Sequence, residues 1–101
     1  MAGKQELLDF LDKQVFLRIL HASEHDLGTK QREDLEDLKK RTQEEMGRFH
    51  GYDSAEKIVA MFKEDLHSVH ATPVNARLQD HNLPRLADVK DEFLKLAGEG
   101  S

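Results

Sequence analysis

Glu6-Leu7-Leu8-Asp9-Phe10-Leu11-Asp12-Lys13-Gln14-Val15-Phe16-Leu17-Arg18-Ile19-Leu20-His21-Ala22 decides the fold class. Leu8, Leu11, Val15 and Ile19 recur at steps of three and four, the spacing of one helical face. Leu7, Phe10, Phe16, Leu17 and Leu20 widen that face well past the stripe of a surface helix, which predicts a buried, central helix. The competing reading uses Phe10 and Leu17, seven residues apart and so aligned, as a face for a partner protein or a second copy of the chain.

Working outward, the connection 21–29 holds two options: Gly28 closes the first helix in a left-handed conformation with Thr29 capping the second, or the first helix stops near Ala22 and a loop follows. The second helix is expected over 30–50, with Leu35, Leu38, Thr42, Met46 and Phe49 inward, and Gly51 ends it. Asp53, with Glu56 three residues on, reads as the capping box of a third helix whose face is Ala55, Ile58, Val59, Phe62, Leu66 and Val69. Thr72-Pro73 reads as a cap and a first-turn proline, opening a short helix with Val74 and Leu78 inward that breaks at Asn82-Leu83-Pro84. A last helix, about 86–97, carries Leu86, Val89 and Phe93.

No run alternates with period two and β-branched residues are few, so a sheet is not expected. The predicted fold is all-α: a small up-down helical bundle of four main helices plus one short helix, in a single domain over 1–101 with frayed tails at 1–5 and 98–101.

Composition narrows the function classes. The chain has 101 residues, 15 basic and 20 acidic side chains, and a formal net charge of −5. An acidic chain is repelled by a phosphate backbone, so nucleic acid is not an expected partner. The hairpin over 73–97 looks superficially like helix-turn-helix, but Asp88, Asp91 and Glu92 offset Arg85, Lys90 and Lys95 on its second helix. Lys39-Lys40-Arg41 is flanked by Glu36, Asp37, Glu44 and Glu45 and reads as a solvated face. The longest apolar run, 58–62, is far short of the ~18 residues of a membrane span. With no cysteine, disulfides and thiolate metal sites are excluded, and a cytoplasmic location is the expectation.

Six histidines are the residues most able to carry chemistry. His21 and His25 fall near the end of the first helix, and His67 and His70 near the end of the third. In an up-down bundle those two ends meet, and each spacing sets two imidazoles on one helical face. That predicts one candidate site for a divalent transition metal such as zinc, from His21, His25, His67 and His70, with Glu24 in reserve. The competing reading is simpler: histidines at helix C-termini bond free carbonyls and favour the dipole. His50 has no evident partner in the sequence, and His81 is expected to cap its own short helix. No nucleophile turn or oxyanion hole is legible, so no catalytic residue is assigned and no cofactor is expected. The sequence thus favours a non-catalytic protein-interaction module, self-associating through Phe10 and Leu17 in one version; the alternative is a metal- or small-ligand-binding bundle built on the histidines.

Overall fold

The computed structural model describes residues 3–68 and 71–98, and among them there is no strand. Helix α1 covers residues 4–20 in three continuous pieces: α-helical Lys4–Leu11, a π turn at Asp12–Phe16 and α-helical Leu17–Leu20. Helix α2 is Thr29–His50, α3 is Ala55–Leu66, α4 is Ala71–Asp80, and α5 is Lys90–Leu96, entered through a 3-10 turn at Leu86–Val89. The fold is all-α, as the pattern predicts.

The wide stripe on α1 decides the packing. Leu7, Leu8, Leu11, Val15, Phe16 and Ile19 are each at most 2% exposed. A helix buried on that many sides needs several neighbours, and α1 packs against α2, α3 and α5. Helix α4 rests on α2, and the 3-10 turn leans on α3. The principal pairs therefore radiate from α1.

The π turn follows from the same stripe. Leu7, Leu11, Val15 and Ile19 are four residues apart, and in an α-helix each such step drifts by about 40°, because a turn holds only 3.6 residues. A turn closed from i to i+5 absorbs the surplus residue and returns the row to one face. Aromatic rings then fill the centre. Phe62 stacks on Phe93 with centroids 4.1 Å apart and planes 5° from parallel, and Phe10 meets Phe93 edge-on at 6.0 Å.

Of the two options for 21–29 the loop holds, since α1 stops at Leu20 and 22–28 are not helical. The boundaries that depart from expectation are the entries to α3 and α4 and the end of α3, at Leu66 and short of Val69. Gly28 is not left-handed: its φ is −66°, it caps α2, and its N–H donates to Gln31 Oε1 at 3.2 Å. Thr29 is the first helical residue, and the left-handed position of that connection is Asp26, with φ of 67°. Ser54, not Asp53, caps α3; its extended backbone aims Oγ at the Lys57 N–H, 3.2 Å away. Ser54→Ala is expected to cost about 1 kcal/mol in chemical denaturation, whereas exposed Asp53→Ala stays within about 0.5 kcal/mol; the reverse order would restore Asp53 as the cap. Helix α4 begins at Ala71, so Pro73 lies in its first turn, where a missing N–H is harmless. The break after α4 is as expected and has a definite mechanism. Asn82 turns left-handed with φ of 58°, the Leu83 N–H donates to the Leu78 carbonyl at 2.8 Å, and the Asn82 N–H to that of Gln79 at 3.0 Å. Those are the two bonds of a Schellman cap, with Leu83 packed on the core that holds Leu78.

Candidate functional site

A cleft of about 500 Å³ opens where the second half of α1, the middle of α2, the end of α3 and the face of α4 come together. Its floor is apolar, with Phe16, Ile19, Leu66, Val74 and Leu78. Its polar wall comes from two facing helices. Along α2 the inward row Leu35, Leu38, Thr42, Glu45, Phe49 advances by three and four; along α3, Ala55, Ile58, Phe62, Asp65 does the same. On each helix a carboxyl thus sits one residue before the apolar side chain that continues the row, Glu45 before Met46 and Asp65 before Leu66, both of which pack on the core.

The two acids meet in the cleft. The side chains of Glu45 and Asp65 are 32% and 18% exposed, and Arg48 Nη2 lies 3.5 Å from Glu45 Oε1 and 3.0 Å from Asp65 Oδ2. Burial, then the hydrogen bond to Asp65 and its negative charge, push the Glu45 carboxyl up to about 8, against the smaller pull of Arg48. At neutral pH Glu45 is mainly protonated and donates to the Asp65 carboxylate. Groups shifted this far by burial and a specific charged neighbour concentrate at binding and catalytic sites.

A second polar network serves a different purpose. Arg77 on α4 reaches Asp34 Oδ1 at 2.6 Å through Nε and Asp37 Oδ2 at 2.9 Å through Nη2. His81 Nε2 lies 2.9 Å from Asp34 Oδ2. His81 occupies the C-terminal cap of α4, its backbone N–H donating to the Arg77 and Leu78 carbonyls, and its ring reaches across to α2. Burial raises the Asp34 carboxyl, but His81 and Arg77 outweigh it and hold the group below its usual range. This network fastens α4 to α2 and so fixes the far wall of the cleft.

Three of the four candidate histidine ligands lie among the described residues. Ile19, near the end of α1, and Leu66, at the end of α3, line the same cleft. Yet His21 and His67 stand exposed at the C-terminal caps of their helices, and His25 is exposed in the following connection. Among the described residues no three histidines or carboxylates are grouped to hold a metal; His70 lies outside the described residues. Glu24 accepts from Lys39 Nζ at 3.1 Å rather than orienting a histidine. His50, without a partner in the sequence reading, has one: Nε2 lies 2.7 Å from Oδ2 of Asp12, the residue that opens the π turn. Phe10 is partly buried against Phe93, and Leu17 is half-buried. Leu96, at 36%, is the exposed large hydrophobic side chain among the described residues, and no described helix is long and apolar enough to cross a membrane.

Compared with protein-family models, curated proteins and solved structures, the chain matches none. What defines it is a small all-α fold with a carboxylate pair in a half-open apolar cleft. In the sequence Glu45 is one of the charges flanking Lys39-Lys40-Arg41. From Leu38 and Thr42 the steps lead as readily to Met46 as to Glu45, so spacing alone does not select the acid.

Proposed function

We propose that the protein is a non-catalytic helical interaction module, that its partner is another protein, and that the cleft between α1, α2, α3 and α4 is the surface it uses. The observation that carries this is the Glu45–Asp65–Arg48 cluster on an apolar floor. Apolar residues of similar volume in place of a buried ionic cluster are often neutral or stabilising, so polar groups retained at inward positions point to recognition. Because the two acids close on each other and on Arg48, they fit a binding surface better than an acid and a base aimed at a substrate. A cytoplasmic setting suits the cysteine-free chain.

The test is comparative capture from source cells with quantitative mass spectrometry. Wild type, a cleft variant (Val74→Glu) and a remote variant (Lys40→Glu) serve as baits, each checked for helicity. Partners retained by wild type and Lys40→Glu but lost with Val74→Glu support the reading. Partners retained equally by all three overturn it.

A further inference from the structure

Resting on the cleft as the partner surface, we infer that it binds a basic, amphipathic segment of the partner protein, with one lysine or arginine set against Glu45 and Asp65 and its apolar neighbours on the floor. Charge complementarity sets the sign of the occupant. Three acids line the cleft, Glu44, Glu45 and Asp65, against Arg41 and Arg48, so the lining is balanced while Glu45 keeps its proton and gains an uncompensated negative charge when Glu45 ionises. Arg41 is already engaged, its Nε donating to Asp37 Oδ2 at 2.9 Å. Arg48 is divided between Asp65 and Glu45. With both central carboxylates ionised the site holds one cation too few, and an incoming ammonium or guanidinium supplies it.

Shape sets the rest. Leu66 and Val74 are only half-buried and leave apolar surface open beside the acids. A lysine or arginine lays its methylene stem on such a surface while its charged head reaches a carboxylate. A bare cation would leave that surface wet. The cleft volume of about 500 Å³ admits a few side chains, not a domain. The incoming charge displaces the proton that Glu45 holds at neutral pH: one cation enters and one proton leaves to solvent. Binding is therefore expected to tighten as pH rises toward 8.

The test uses a labelled amphipathic helical peptide of leucine and lysine, about four turns long, and a second with every lysine replaced by glutamine. Fluorescence anisotropy reads affinity, and calorimetry in two buffers of different ionisation enthalpy reads protons. The lysine peptide is expected to bind wild type about tenfold more tightly than the glutamine peptide and to release close to one proton at pH 7. Glu45→Gln removes the proton release and most of the preference. Asp65→Asn, as a second variant, weakens the lysine peptide with the fold intact. Equal affinity of the two peptides, with both mapped to the cleft by amide shifts, overturns the inference and leaves the interaction module standing. No shift at the cleft with either peptide, together with capture insensitive to Val74→Glu, removes both. Hexylamine binding as tightly as the lysine peptide would assign the cleft to small amines, and a dimer abolished by Glu45→Gln would assign it to a second copy; either overturns the proposal.

Discussion

Phe93→Ala is expected to remove about 3–5 kcal/mol of stability, a large share of the roughly 5–15 kcal/mol that a chain of this size has. Phe93 is fully buried, stacks on Phe62 at 4.1 Å and takes the edge of Phe10 at 6.0 Å, so one ring joins α5 to both α3 and α1. Truncation opens a cavity among three helices and leaves α5, only seven residues long, without its anchor. Thermal and denaturant melts with far-ultraviolet circular dichroism check this: the variant should melt at least about 12 °C below wild type or fail to fold cooperatively. Phe10→Ala serves as comparison. Phe10 is only partly buried, so its truncation should cost about half as much and leave the oligomeric state unchanged. If Phe10→Ala instead dissociates an oligomer without lowering monomer stability, its ring works between copies and not against Phe93.

The fold was legible because its signal is redundant. The stripe on α1, the proline of α4 and the break at Asn82-Leu83-Pro84 each specify helix or helix end by independent chemistry, and each appears in the structure. The boundaries were less legible because neighbouring residues compete for one role. Asp53 and Ser54 both carry a capping oxygen, and the choice depends on which backbone is extended at the helix entrance, a tertiary property. The π turn had a signature in the four-residue repeat from Leu7 to Ile19. A pattern search that accepts steps of three and four alike does not separate that repeat from an ordinary helix.

The site was legible only in part, for a physical reason. Histidines draw attention by number, and in the structure His21, His25 and His67 all face solvent. Glu45 and Asp65 are informative through burial, and burial of a charged residue is invisible in composition. Register does not reveal it either, because Met46 and Leu66, each one residue further on, continue the same rows. The partners of His50 and His81 are 38 and 47 residues away in sequence, beyond any local rule.

Replacing Glu45 by leucine is expected to stabilise the protein at pH 8 and to abolish much of the pH dependence of wild type between about 5 and 8. The Glu45 carboxyl stands near 8 in the fold against 4.5 as its ordinary value, so across that interval the folded chain holds a proton that the unfolded chain has given up. Stability falls with rising pH wherever the folded state binds more protons. The contribution is therefore complete below about 4.5 and is lost as pH climbs through 8. The full shift would correspond to roughly 5 kcal/mol, but about a third of the side chain reaches water, and solvent screening brings the expected loss from pH 5 to 8 down to about 2 kcal/mol. Glu45→Leu keeps the Arg48–Asp65 ion pair, 3.0 Å in wild type, and removes the titrating group. Urea denaturation of both proteins at half-unit steps from pH 5 to 8.5 measures the difference, in which histidines common to both cancel. A difference that grows by about 2 kcal/mol toward pH 8 in favour of the leucine variant places the proton on Glu45 in the cleft. A flat difference would mean that Glu45 ionises like any surface carboxylate, and the cleft would lose the feature that singles it out.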